Sequence, residues 1–187
     1  MQRIADATFT LIGRTGRVDP TLRDILRETG LSTQAFYRYF RSKDELLLLL
    51  LDDGRRRLVG YLEHRMARAS KPADQIREWI AGVLAQAGDP QAASRTLPFF
   101  INEDRLAEAF PDEQRASVEL LVNLLVAPIT KMGRDGPTAK ADATAVYRLS
   151  FATLKALLID GRTAKPAEVA HLVAFAVGGI ERGRERS

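Results

Sequence analysis

Apolar residues recur at i, i+3 and i+4 along nearly every long segment of this chain. No stretch alternates apolar with polar residues in the way a half-buried strand does. That periodicity restricts the fold to the all-α class. The punctuation agrees. Pro20, Pro72, Pro90, Pro111, Pro137 and Pro166 stand where helices should begin, because the N–H that proline lacks has no intrahelical acceptor in a first turn. Gly16, Gly30, Gly88, Gly136 and Gly161 stand near the expected stops. The pattern predicts about nine helices, over 2–15, 21–28, 32–39, 42–68, 72–87, 91–109 (broken), 112–133, 138–160 and 166–183. Pro98 and Pro128 fall inside two of them and predict a kink or an interruption. The expected organisation is a small N-terminal unit, 1–45, and a larger helical body, 46–187, with helix 42–68 bridging the two.

Composition narrows the chemistry. The 187 residues suffice for one domain or two small ones by the soft prior of about 150 residues per domain. Cysteine is absent, which removes disulfides, thiolate nucleophiles and thiolate metal sites. Histidine occurs only twice, at 64 and 171. The longest apolar run is the leucine stretch Leu46 to Leu51, far short of the roughly 20 residues a membrane span needs, and no signal-peptide pattern opens the chain. These features predict a cytoplasmic protein with no cofactor, no metal and no membrane partner. The net charge of +4 is unevenly placed: residues 1–43 carry 8 basic and 4 acidic side chains, whereas residues 69–187 carry 15 of each. A basic N-terminal third on a neutral remainder points to a polyanion as its partner.

Residues 21–41, TLRDILRETGLSTQAFYRYFR, carry the most information. Leu22, Ile25 and Leu26 share one face of a first short helix, and Thr29-Gly30-Leu31 forms a tight turn in which Gly30 adopts the left-handed conformation. Ser32 is the N-cap of the next helix. On that helix Phe36 and Phe40 form the buried row, while Thr33, Tyr37 and Arg41 form one outward row and Gln34 with Arg38 the neighbouring one. Hydroxyls, an amide, a phenol and guanidinium groups are what contact base edges and phosphate oxygens. Helix, glycine turn and short polar-faced helix make up a helix-turn-helix layout. Ser42-Lys43-Asp44-Glu45 then fits a capping box, and Lys43 at that helix start is suited to a phosphate.

This stretch resembles the DNA-binding domain of TetR/AcrR-type transcriptional regulators. The matching residues are Ile4-Ala5-Asp6-Ala7 with Phe9, Ile12 and Gly16, then Thr21-Leu22-Arg23-Asp24-Ile25, Gly30-Leu31-Ser32, Phe36-Tyr37-Arg38-Tyr39-Phe40 and Ser42-Lys43-Asp44-Glu45-Leu46. The resemblance implies a homodimeric repressor that binds double-stranded DNA and carries a ligand-responsive C-terminal body. It implies that Ser32, Thr33, Gln34, Tyr37 and Arg38 contact groove or backbone, with Thr21, Arg23 and Lys43 flanking them, mainly on phosphate. Two positions depart from the family: Leu26 and Thr29 replace residues that are often small, and only Met1-Gln2-Arg3 stands before the first helix, so no minor-groove arm is expected.

Residues 72–183 hold no motif of similar strength. Segment 118–129, VELLVNLLVAPI, is apolar almost all round and is expected inside a bundle, where isolated polar groups can orient a small molecule. Candidate pocket residues are Trp79, Val83, Leu97, Phe99, Phe100, Leu121, Leu125, Tyr147 and Phe151, with Asn123 as the expected buried amide and Asn102, Thr96 and Arg148 as further orienting groups. The last two helices offer Phe151, Leu154, Leu158, Ala170, Ala174 and Gly178 as a self-association surface, which by the resemblance closes a four-helix bundle across a two-fold axis.

Two other readings compete. Glu168-x-x-His171 is the unit of carboxylate-bridged di-iron bundles, but those need a second such unit, and Tyr61 stands three residues before His64. No G-x-S-x-G nucleophile motif occurs. The remaining alternative is a helical small-molecule-binding or interaction module that reads no DNA sequence.

Overall fold

A computed structural model describes residues 2–15 and 19–184, without the side chains of residues 2, 3, 5, 6, 12–14 and 184. Gly16, the expected stop of the first helix, and Met1 lie outside the described residues, as do the side chains of Gln2, Arg3, Ala5, Asp6 and Ile12. The fold is all-α: α1 (Gln2–Thr15), α2 (Leu22–Thr29), α3 (Thr33–Tyr37), α4 (Lys43–Met66), α5 (Pro72–Ala85), α6 (Pro90–Ile101), α7 (Glu103–Ala109), α8 (Pro111–Lys131), α9 (Gly136–Ile159) and α10 (Pro166–Arg184), with a 3-10 turn at Gln86–Gly88. Among the described residues there is no strand.

The expected break in 91–109 falls at Asn102, which ends α6 and precedes α7. Its side-chain amide donates to the Pro98 carbonyl at 2.7 Å, so the buried group is satisfied at the break itself. Neither internal proline interrupts its helix. Pro98 and Pro128 sit in the last turns of α6 and α8, where the lost N–H and the clash with the preceding turn fall close to a natural stop.

Two apolar clusters hold the molecule together. Ile4, Phe9, Leu11, Ile25, Phe36 and Phe40 form the N-terminal one with Leu46, Leu47, Leu50 and Leu51 of α4, and Leu106 of α7 inserts into it. The larger cluster gathers α4, α5, α8, α9 and α10 around Trp79, Ile80 and Val83 of α5. Helix α4 therefore belongs to both. Helices α4 and α5 approach closely at Gly82, where a Cβ would stand 2.6 Å from Leu62 Cδ2. Arg65 closes the edge of that contact on Glu78, with Nη2 2.7 Å from Oε2.

Segment 118–129 is not enclosed on all sides. Leu121, Val122, Leu125 and Ile129 are buried, but Leu120, Asn123 and Ala127 form an exposed edge. Asn123 accepts a hydrogen bond from Lys140 Nζ at 2.8 Å and is a surface group, not the expected buried amide.

Candidate nucleic-acid interface and ligand cavity

The helix-turn-helix is built by local hydrogen bonds that the sequence specifies. Thr21 caps α2: its Oγ1 accepts from the Asp24 N–H at 3.2 Å, and Asp24 Oδ2 accepts from the Thr21 N–H at 3.3 Å and from its hydroxyl at 2.7 Å. Gly30 follows α2 with φ of 67°, which reverses the chain at no steric cost. The Thr29 hydroxyl donates to the Ile25 carbonyl at 2.8 Å, which accommodates a polar residue at this packed position. Ser32 Oγ accepts from the Ala35 N–H at 3.1 Å and starts α3.

Helix α3 is shorter than the expected 32–39. It ends at Tyr37 and passes into a turn through the Tyr39 and Phe40 N–H groups, both donated to the Phe36 carbonyl. The segregation of its faces is as the spacing predicts. Phe36 and Phe40 are buried with ring centroids 5.3 Å apart, while Thr33, Gln34, Tyr37 and Arg38 are exposed. Tyr37 rests edge-on against Phe36 at 5.5 Å and keeps 54% of its surface open. Tyr39 is exposed beside it, a residue the sequence reading passed over. Arg23 is exposed and makes no ion pair with any described residue, because Asp24 is taken by Arg27 at 3.0 Å.

Thr21 and Ser32 are caps first. The Thr21 hydroxyl proton is already committed to Asp24, whereas the Ser32 hydroxyl accepts within the chain and keeps its own proton to donate. Ser42 caps α4 by accepting from the Glu45 N–H at 3.0 Å, and Glu45 reaches back to the Arg41 N–H, one residue before the donor a capping box uses. Lys43 is half-buried, with its ammonium on Asp19.

A cavity of about 580 Å³ opens between α4, α6 and α9, with the end of α5, the start of α7 and the start of α8 completing it. Its apolar wall is aromatic: Phe99, Phe100, Tyr147 and Phe151, with Leu58 of α4. Tyr147 stacks on Phe151 at 4.4 Å, and Phe100 lies 6.1 Å from Phe151. Thr96 and Arg148 also line it. The other pocket candidates lie elsewhere. Trp79, Val83, Leu121 and Leu125 are in the core behind the wall, Leu97 packs on that core, Asn102 sits at the α6–α7 break and Asn123 is on the surface.

The sequence reading missed Arg55, Arg95 and Gln114 on the cavity wall. A signal existed for Arg55. It falls on the α4 stripe Leu47, Leu51, Leu58, Leu62, where the neighbouring members are apolar. Its Nη1 donates to Gln114 Oε1 at 2.8 Å, and the Tyr147 hydroxyl is its second neutral partner. Burial lowers the Arg55 pKa from its ordinary value, against the opposing pull of Tyr147 and Glu103. Burial also pushes the Tyr147 phenol up, against Arg55, which pulls it down.

The cavity touches the N-terminal helical unit directly. Phe99 on its wall meets Phe9 of α1 edge-on at 6.4 Å, and the Arg95 guanidinium lies over the same Phe9 ring at 5.3 Å.

The self-association candidates divide. Leu154 and Leu158 are buried in the chain's own core and Phe151 lines the cavity, whereas Ala170 and Ala174 are exposed and Gly178 lies under Arg182. The outward apolar row on α9 is instead Leu149, Ala152, Ala156 and Ile159, and on α10 Phe175 joins the alanines. Glu168 accepts from both Arg162 and the Lys165 N–H, and His171 is exposed. Among the described residues no helix is long and apolar enough to cross a membrane.

An all-α protein with a helix-turn-helix at one end and a cavity in its helical body is the class that fold and site define. Residues 4–50 match the family model for bacterial regulatory proteins of the tetR family. The HTH-type transcriptional regulator BetI of Agrobacterium fabrum is 34% identical over 111 residues, covering 56% of this chain and 52% of that protein. The BetI of Rhizobium meliloti is 28% identical over 110 residues with the same coverage. The chain thus spans about half the length of the curated relatives it matches. Solved structures share the fold over nearly the whole chain. A TetR transcription regulator from Haloarcula marismortui superposes with a TM-score of 0.71 at 21% identity, covering 97% of this chain and 96% of that one. The FadR of Bacillus subtilis, solved in complex with stearoyl-CoA, gives 0.65 at 17% identity, covering 96% and 95%. The tetR-family match thus rests on residues 4–50, and the remainder of the chain shares its fold with solved regulators of that type.

Proposed function

We propose that this protein is a cytoplasmic, ligand-responsive transcriptional regulator: a homodimeric repressor that is released from a palindromic operator when an amphipathic small molecule fills the cavity. One observation carries the reading. The outward face of α3 presents Thr33, Gln34, Tyr37 and Arg38 together, on a helix fixed from behind by Phe36 and Phe40. In the proposed complex α3 enters the major groove of one half-site, and Arg23, Ser32 and Lys43 fix the register on phosphates. One short helix reads few bases, and two half-sites about 34–36 Å apart double them.

The rows Leu149, Ala152, Ala156, Ile159 on α9 and Ala170, Ala174, Phe175 on α10 support a two-fold helical interface, since such rows find cover in a second copy of the chain. Ligand action is a population shift. An effector moves the dimer only by its differential affinity for the DNA-competent and incompetent geometries. The routes on offer are α4, shared by both cores, and the Phe9–Phe99 contact.

Selection of bound duplexes from a random-sequence DNA pool, at stated salt, tests the proposal. Recovery of a palindrome with half-sites one turn apart supports it. Purely salt-sensitive binding with no enrichment replaces it with the second reading, a helical ligand-binding module that does not read sequence. The cavity and its aromatic wall are common to both readings.

A further inference from the structure

Arg55 stands in the cavity wall without an ion-pair partner among the described residues, with Glu103 and Asp52 acting on it only at longer range. Its sequence neighbours are both neutralised, Arg56 by Asp52 at 2.7 Å away from the cavity and Arg57 by Asp53 at 2.9 Å on the cavity wall. Arg55 is not. Its hydrogen bond goes to the Gln114 amide oxygen, its other polar neighbour is the Tyr147 phenol, and no carboxylate of the described residues comes within 4.0 Å. The two carboxylates on the cavity wall are otherwise engaged: Glu103 is bonded to Lys155 at 3.2 Å, and Asp89 caps α6. A half-buried cation facing neutral partners pays a desolvation cost that an anion would offset. A guanidinium has five N–H donors in a fork that matches a carboxylate, and one amide oxygen with one phenol oxygen leaves part of it unused. The surrounding wall adds Arg95 and Arg148, neither of which makes an ion pair among the described residues.

We propose that the cavity takes an amphipathic carboxylic acid, with its carboxylate on Arg55 between Gln114 and Tyr147 and its apolar body against Phe99, Phe100 and Phe151. This rests on the reading of the cavity as the effector site and gives that effector its chemical class. A carboxylate suits a guanidinium flanked by an amide and a phenol, on a wall whose other charged groups are mostly cations. The same cation disfavours an amine by like-charge repulsion. At 580 Å³ the cavity is of the size that holds an ordinary small ligand.

The test is calorimetric titration of the full-length protein with matched probes: octanoate, octanamide, octylamine and octyl phosphate, and 4-phenylbutanoate with its amide. The acids are expected to bind about tenfold or more tightly than their amides, the scale of a hydrogen bond to a charged group, and octylamine weakest. In Arg55→Gln the acid should fall to the affinity of the amide, and Arg55→Lys should recover part of the preference. Arg56→Gln, outside the cavity, should change nothing. Equal affinity for acid and amide, tighter binding of octylamine or octyl phosphate, or no binding by either acid overturns the proposal. Should Arg55→Gln fail to fold by circular dichroism, the wild-type comparison of acid with amide decides alone. The same probes are then added to the protein bound to its selected operator. An acid that binds through Arg55 without altering operator affinity overturns the effector reading and leaves the carboxylate site standing. Release by the amides as readily as by the acids does the reverse.

Discussion

The Lys43 ammonium stands 2.6 Å from Asp19 Oδ1, so the lysine best placed at the start of α4 for a phosphate is held by a carboxylate of the same chain. Asp19 is shared. Arg105 of α7 lies 3.4 Å from it and 3.2 Å from Asp44 Oδ1. These four side chains tie the segment before α2, the start of α4 and α7 into one charged cluster. Glu103, two residues before Arg105, lines the cavity. Under the proposed ligand response, a shift of α7 at Glu103 would be passed through Arg105 to the carboxylate that holds Lys43.

The cluster predicts opposite effects at its two ends. Lys43→Ala should weaken operator binding and lower the slope of log affinity against log salt by about one, the signature of one lost phosphate contact. Asp19→Asn should strengthen binding, because Lys43 no longer has to leave a carboxylate to reach DNA. Fluorescence anisotropy across a salt series measures both. An unchanged slope in Lys43→Ala would remove Lys43 from the interface.

Arg105 lines neither the cavity nor the outward face of α3, and under the proposed ligand response its ion pairs with Asp19 and Asp44 give it a coupling role. In Arg105→Ala ligand affinity in the absence of DNA should be unchanged, while the factor by which ligand lowers operator affinity should shrink. Coupling energies are about 1–3 kcal/mol in such systems, so the change is readable in a two-ligand titration. Full coupling in this variant would leave α4 and the Phe9–Phe99 contact as the carriers.

Acid weakens the cluster in a defined direction. Burial alone would raise the Asp19 pKa, but hydrogen bonds from Lys43 and Arg105 outweigh it and hold the carboxyl below its ordinary value of 3.8. A carboxyl depressed in the folded state stabilises fully above its unfolded pKa and loses that contribution as pH falls through the folded one. The stability difference between wild type and Asp19→Asn should therefore be flat from neutral pH down to about the ordinary aspartate value and vanish below it. Both residues are partly exposed and the effect is small. Urea unfolding of the pair between pH 6 and 3 measures it.

Tyr37 and Phe36 are adjacent in sequence and opposite in consequence. Tyr37→Ala should cost operator affinity about tenfold or more and leave the melting temperature near that of wild type, since the ring is more than half exposed. Phe36→Ala opens a cavity in a fully buried site and should cost about 3–5 kcal/mol of stability. Thermal unfolding beside anisotropy separates them.

That contrast was legible in the sequence, and it shows where legibility stops. Gly30 and the caps at Ser32 and Ser42 are local chemistry, decided within four residues, and the structure forms each where the sequence puts it, while the Thr21 cap, equally local, starts α2 one residue later than expected. The body is decided at longer range. Asn123 reads as buried because its neighbours are apolar, but α8 packs on one side only and the amide falls on the open edge. Leu154 and Leu158 read as a surface for a second chain because they are apolar, yet the chain's own core takes them. Arg55 is passed over within a run of three arginines. Only the direction of α4 over its apolar stripe turns it inward, where Gln114, 59 residues away, receives it.

The proposed dimer is tested on the outward rows. Ile159 and Phe175 keep 61% and 63% of their surface open in the single chain, more than large apolar side chains at helix centres and ends need to. At a two-fold interface each residue meets the partner's surface twice over, so one substitution places two charges in the same apolar seam. Ile159→Glu and Phe175→Glu should each shift the protein from dimer to monomer in sedimentation equilibrium, with helix content and melting of the isolated chain retained. Operator binding should fall with the dimer, because a monomer reads one half-site only. A protein that stays dimeric in both variants must associate through other surfaces. A protein that is monomeric from the outset but still selects a palindrome must assemble on the DNA itself.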